Sequence, residues 1–461
     1  MRQLVGPAGP PVDNATSRRL ILGIAIISGL IYFGLARLGD LRAALPTLLA
    51  AHGALMLLML GAWWAGRPGR RFRGIVIGAA VVFRLIAAVG PPALSDDVHR
   101  YVWDGRVQLH GVSPYRYAPD DPALAELRDE SWVAINHPEV KTIYPPLAQL
   151  LFLMLAATGA GPVGFKLAMA ALDIGVVLAL SRLLQRSALP ADRLILYAWN
   201  PLAILETAGS GHVEPLGVAL IVLAAAWIID RRRGLSTIGL GAAVYAKLLP
   251  VVLMPAYLRR LSWRQWLPLF LLVGLLVPFA VPDPAGDGGL AVYAERWERN
   301  AVVFSLVREG LETIDAGNTL KRGVAAMQGR LEQTWIPWDF LYRHVWPPHV
   351  ARLLVAVAAL AWILSLSRGR KRPIVRESLL LLGGVLLLSP TLHPWYLLWL
   401  LPFAAACLSW PWLFLAALVP LSYWGAGAEV PWPVRCAEYL PPLAVAVWLA
   451  WRKRARRLNS G

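Results

Sequence analysis

The run LILGIAIISGLIYFGLARL, Leu20 to Leu38, decides the kind of protein this is. It contains one charged side chain in a length that crosses a bilayer as a helix, since about 20 residues rising ~1.5 Å each match a hydrocarbon core ~30 Å thick. It is too long for the apolar region of a signal peptide and has no small-residue processing site after it, so it reads as a signal anchor. The Gly/Pro-rich stretch Gly6 to Pro11 before it reads as disordered, and residues 1–19 as a cytoplasmic N-terminus.

Runs of the same character recur along the chain. They are Ala43 to Ala65, Gly74 to Pro91, Val163 to Leu184, Leu194 to Leu205, Val213 to Asp230, Leu235 to Pro255 and Trp266 to Val281. Further runs are Val350 to Leu366, Ser378 to Pro390, Tyr396 to Leu408, Trp412 to Tyr423 and Leu440 to Trp451. Lipid offers no partner to an unpaired amide, so they must be helices, and the expected fold is an all-α polytopic bundle of about 13–14 membrane helices over residues 20–452. Composition agrees: 57% of the 461 residues are hydrophobic, 16% are charged and mean hydropathy is +0.54. A water-soluble domain is excluded.

The net charge of +17 does not imply nucleic acid, because the basic residues lie in short clusters between apolar runs and not along one polar face. These clusters are Arg18/Arg19, Arg67 to Arg73, Arg182/Arg186, Arg231 to Arg233, Arg259 to Arg264, Arg368 to Arg372 and Arg452 to Arg457, with residues 453–461 as a basic tail. The positive-inside bias puts all of them in the cytoplasm. Two hydrophilic loops then fall outside, 93–145 and 282–349, and 18 of the 28 acidic residues lie in Ala93 to Lys141 and Pro282 to His349, nine in each. For this parity to hold, Leu147 to Ala157 cannot cross and is an interfacial or re-entrant helix of the first outer loop, running to about residue 158. Leu235 to Leu258 must also break near Lys247 and Pro250. Cys407 and Cys436 have no metal spacing and receive no role.

The densest polar segment is Ser95-Asp-Asp-Val-His-Arg-Tyr-Val-Trp-Asp-Gly-Arg106, just beyond the third apolar run. Asp96 and Asp97 are candidate general bases, Arg100 and Arg106 candidate anion binders, and Tyr101, Asp104 and Tyr115 candidate substrate contacts. The same composition also suits a solvated amphipathic helix. Other ionisable groups lie in or beside apolar runs on the outer side: Asp173, Glu206, His212, Glu214, Lys247 and His393. Such groups are expensive in a membrane and are functional or paired. Asp173 has two readings, a catalytic group or a partner of Arg84 or Lys166. Trp103, Trp395 and Tyr396 suit sugar stacking or an interfacial aromatic belt.

The order of these motifs resembles the GT-C superfamily of membrane glycosyltransferases. Tyr144-Pro-Pro-Leu147, Asp173, Asn200-Pro-Leu202, Gly211-His-Val-Glu214 and Lys247-Leu-Leu-Pro250 are similar to the first mannosyltransferase of GPI-anchor synthesis. They are also similar to the dolichol-phosphate-glucose-dependent transferases. The chain most resembles the bacterial family-87 and polyprenol-phosphate-mannose-dependent mannosyltransferases, through Asp97 followed by Gly111 and Pro114-Tyr115. Tyr293 to Asn300 and His393-Pro-Trp-Tyr396 look familial too. The resemblance implies inverting transfer of a hexose, mannose favoured, from a polyprenyl-phosphate sugar to a lipid-linked or cell-envelope glycan. Asp97 would be the base and Asp96 second, with the active site outside the bacterial inner membrane. Tyr144, His212, Glu214, Lys247, His393 and Tyr396 join the expected substrate contacts, with Arg100, Lys247 and His393 near the leaving phosphate. No cofactor is expected; Ser95-Asp96-Asp97 replaces the Asp-x-Asp of the GPI enzyme, which leaves divalent-ion use open. The competing class is a transporter or flippase of lipid-linked sugars, which also uses broken helices.

Overall fold

The structure is a computed structural model that describes residues 14–66, 70–280, 288–330, 335–425 and 429–458. The expected disorder at Gly6 to Pro11, the cluster member Arg67 and the end of the basic tail lie outside the described residues. The described chain is helical, and its only bridge of β type is an isolated one between Arg299 and Thr391. Among the described residues, five helices have the length and composition to cross a membrane: Ala15–Leu38, Leu45–Ala65, Phe72–Val89, Pro162–Arg186 and Pro347–Arg368. Their outer surfaces carry Ile26, Leu57, Val89 and Leu353, each more than 60% exposed, as suits contact with acyl chains. The protein is an all-α, multi-pass membrane protein.

The remaining apolar runs are shorter or interrupted. Leu194 to Leu205 is divided by Asn200-Pro201 into helices Ile195–Ala198 and Pro201–Ile204, followed by a π-helical turn, Leu205–Gly209. The break expected near Lys247 is present. The helix Arg233–Ala246 stops there, Lys247 is extended (φ −163°, ψ 147°), and the chain resumes as the 3-10 turn Leu249–Leu253 and the helix Met254–Leu258. Tyr396 to Leu408 likewise divides into Pro394–Trp399 and Leu401–Cys407. Irregular backbone is tolerated at membrane depth only where protein covers it. These pieces meet that condition: Ile195 to Ala198 and Leu400 to Phe403 have almost no exposed surface.

The two ends of the bundle are marked by contacts. At one end Lys166, near the start of Pro162–Arg186, donates to the Gly90 (2.5 Å) and Pro91 (2.8 Å) carbonyls. At the other, Arg182 and Arg186 pair with Asp230 at 2.7 and 3.0 Å, while Arg259 and Arg260 both hold Glu377. The first end carries the acidic segment, folded as the helix Asp97–Leu109 and packed against the 12-residue helix Pro146–Ala157. Twelve residues span only ~18 Å, too little to cross. Gly105 permits the close approach of these two helices, since a Cβ there would lie 2.4 Å from the Phe152 carbonyl oxygen.

Candidate active site

A cavity of about 390 Å³ opens at that end. One wall is the acidic segment with Asp96, Asp97 and Arg100; the second is Asn136 to Tyr144; the third is Tyr293 to Arg299 from the later loop. Lys247, His393, Trp395, Tyr396 and Tyr423 complete it from the broken helices. The later loop is fastened over the cavity by backbone pairing, with Leu392 donating to the Arg299 carbonyl (2.8 Å) and Arg299 to that of Pro390 (3.2 Å).

The neighbouring carboxylates are not equivalent. Asp96 receives two hydrogen bonds from the Arg42 guanidinium, at 2.9 and 3.2 Å. Asp97 accepts from the neutral Asn136 amide at 2.8 Å and opens the helix Asp97–Leu109, whose N-terminal amides favour negative charge. Behind Asp97 lies His212, without exposed surface, its Nε2 3.8 Å from a carboxylate oxygen. Gly211 seats that histidine at φ +85°, and a Cβ there would lie 3.1–3.2 Å from Val98 and Lys166. The Lys247 ammonium holds Glu214 and lies 4.7 Å over the Tyr396 ring, whose hydroxyl is hydrogen-bonded to that of Tyr293. Trp395 is sandwiched between two imidazoles, with centroids 4.0 Å from His212 and 4.3 Å from His393. Burial, then the positive charges of Arg299, Lys247 and His212, pushes the His393 pKa well below the usual histidine value.

Residues 32–261 match the family model of the alpha-(1->6)-mannopyranosyltransferase N-terminal domain. Among curated proteins, "Probable alpha-(1->6)-mannopyranosyltransferase" of Mycolicibacterium smegmatis is 24% identical over 424 residues, covering 80% of this chain and 72% of its own. Through residues 32–261 the chain belongs to this family of GT-C-type membrane mannosyltransferases. No solved structure matches it. In this mannosyltransferase the matched region supplies Asp96, Asp97, His212, Glu214 and Lys247. Tyr293, Arg299, His393 and Tyr396 come from beyond residue 261, so the cavity joins the two parts of the chain.

Of the residues singled out in the sequence, the fold brings Asp96, Asp97, Arg100, Tyr144, Lys247, His393 and Tyr396 to the cavity wall. His212 and Glu214 lie directly behind it, each at most 1% exposed. Tyr101, Asp104, Arg106 and Tyr115 are not brought there. Tyr101 stacks on Phe152 at 4.6 Å in a small apolar core, and Tyr115 donates to the Tyr144 carbonyl at 2.8 Å. Arg106 pairs with Asp129 at 2.5 Å. The Asp104 carboxylate is saturated by Arg100 (2.8 Å), Thr142 (2.6 Å) and Gln149 (2.7 Å). Arg100 is thereby aligned toward the cavity, and its Nη2 is buried without a hydrogen-bond partner among the described residues. Asp173 takes the structural one of its two readings: Arg84 binds it at 2.7 Å, Tyr197 and Thr207 donate to it, and Lys166 is engaged elsewhere. Arg42 and Asn136 carried no sequence signal, since each is recognisable only by the aspartate it meets across 54 or 39 residues.

Proposed function

We propose that this cavity transfers a mannosyl residue from a polyprenyl-phosphate donor to a lipid-linked or cell-envelope glycan acceptor. The reaction would take place on the non-cytoplasmic face of a bacterial inner membrane and invert the anomeric centre. The observation that carries this reading is the placement of Asp97 and Lys247 on one cavity wall system. Asp97 supplies a carboxylate that accepts from the Asn136 amide and is backed by a histidine. Lys247 supplies a cation, already held by a carboxylate that phosphate can displace.

In the reaction the acceptor hydroxyl attacks the anomeric carbon while Asp97 takes its proton. Negative charge grows on the departing lipid phosphate, and Lys247, Arg100 and the Tyr293/Tyr396 hydroxyls are the donors set to meet it; such preorganised donors lower a barrier by several kcal/mol. Asp96 is the less available carboxylate because Arg42 occupies both of its oxygens. His393 enters as a neutral hydrogen-bonding ring, not as a cation. The proposed orientation is supported by the positive-inside bias, with Arg182, Arg186, Arg259 and Arg260 at the end opposite the cavity.

The test is a panel of polyprenyl-phosphate hexoses supplied to the purified protein in lipid, with products identified by mass spectrometry. Consumption of polyprenyl-phosphate mannose with a glycosylated product supports the reading. Movement of the donor between leaflets without consumption would replace it with a flippase.

A further inference from the structure

His212 was expected among the substrate contacts, but it has no exposed surface and does not line the cavity. Its surroundings are ordered by elements far apart in the chain. The Nδ1 atom lies 2.9 Å from the backbone carbonyl oxygen of Glu206, which can only accept, so Nδ1 carries a hydrogen and a neutral ring leaves Nε2 as a bare lone pair. That lone pair faces Asp97 at 3.8 Å and has no hydrogen-bond partner among the described residues. A neutral ring and an ionised carboxylate thus face each other as two acceptors, at a distance that becomes an ion pair when the ring takes a proton.

The environment is also built to hold that proton. The Glu206 carboxylate is 3.3 Å from the ring and is itself fixed by the Tyr423 hydroxyl at 2.7 Å. Glu206 sits on the π-helical turn Leu205–Gly209, a distortion often kept for function. Trp395 stacks on the ring at 4.0 Å, and an aromatic face favours a cation. Burial opposes a charged imidazole, but Glu206, Asp97 and Glu214 outweigh it and the His212 pKa is raised. His393, on the far face of Trp395, is the opposing cationic neighbour, and its own pKa is held low.

We propose that His212 is the proton store behind Asp97. The proposal rests on Asp97 being the base. The acceptor O–H bond breaks as the new O–C bond forms, and the electron pair of the broken sugar–phosphate bond leaves on the lipid phosphate. The proton goes to Asp97 and from there to His212 Nε2, restoring the carboxylate; it returns to water by the same path when products leave. His212 touches no substrate and is a positioning residue acting through Asp97.

The experiment measures kcat, KM and their pH dependence for wild type, H212Q, E206Q and D97N in lipid, with polyprenyl-phosphate mannose as the donor. Wild-type kcat should fall at low pH along a limb above the ~6.5 of a free imidazole. H212Q should lose about 100-fold in kcat with KM unchanged and no longer show that limb. E206Q removes a negative charge beside the ring and should move the limb to lower pH, which keeps the proposal testable if H212Q does not fold. An H212Q enzyme within threefold of wild type on an unchanged limb, or an unmoved limb in E206Q, overturns the proton store. D97N at wild-type rate removes Asp97 as the base and the store with it; inactive D97N beside unchanged H212Q removes the store alone.

Discussion

Arg42 grips both oxygens of Asp96 from the turn between the first two membrane helices, at 2.9 and 3.2 Å, while the adjacent Asp97 accepts from the Asn136 amide at 2.8 Å on the cavity wall. Two adjacent carboxylates that the sequence ranked only through a motif resemblance are separated in the structure by one guanidinium.

The separation is measurable. Asp97→Asn should lower kcat by about 100- to 10,000-fold, the range for loss of a general base. Asp96→Asn should cost no more than roughly tenfold, since it weakens a positioning contact. Steady-state assays of both variants, normalised to folded protein, decide the assignment; equal losses would put the two carboxylates back on one footing.

The Lys247–Glu214 pair predicts a split between stability and turnover. Lys247→Met removes a cation from the proposed phosphate site, and a charged hydrogen bond of about 1.5–3 kcal/mol corresponds to a loss of roughly 10- to 150-fold in kcat/KM. It also strands Glu214, 1% exposed, without its partner, and thermal stability should fall. Adding Glu214→Gln should restore the stability and leave the activity low. Recovery of activity in the double variant would mean that Lys247 matters only for holding Glu214.

Arg84 and Asp173, 1% and 0% exposed, form a pair that the structure keeps away from the cavity. Asp173→Ala should destabilise by about 3–5 kcal/mol, because it leaves a buried guanidinium uncompensated. KM for the donor should not change in the fraction that folds. Thermal unfolding in detergent, together with kinetics at a permissive temperature, tests both halves.

His393 carries a pH prediction. Its pKa is depressed in the folded protein by burial and by nearby positive charge. As pH falls below ~6.5 the unfolded chain takes up this proton while the folded one does not, so stability is full above that pH and declines below it. His393→Asn removes that group, and the loss of melting temperature between pH 7.5 and 5 should be smaller than in wild type. Because the ring stays neutral, the same variant should keep the shape of the activity profile between pH 6 and 8; a lost limb would show that His393 titrates in turnover.

Membrane class and the helix break near Lys247 were legible along the chain because both depend on local quantities. Hydropathy adds up residue by residue within a run. The parity of basic clusters then required Leu235 to Leu258 to stop near Lys247, where the helix does end. The 3.6-residue period carried less information, since a helix surrounded by lipid and protein is apolar all round. Short crossings such as Ile195–Ala198 therefore looked like whole spans although they are fragments.

The site was legible as residue types and not as contacts. Sequence alone determined that a carboxylate-rich segment follows the third membrane helix and that a few costly ionisable groups share its side. Which groups meet was decided by packing. Asp104 and Asp97 belong to one helix, yet Asp104 turns into a closed network with Thr142 and Gln149 while Asp97 faces the cavity. His212 reaches Asp97 across 115 positions only because Gly211 permits the close fit against Val98. The physical reason is that hydropathy is a property of each residue, whereas a hydrogen bond is a property of two, and only the folded chain fixes the distance between them.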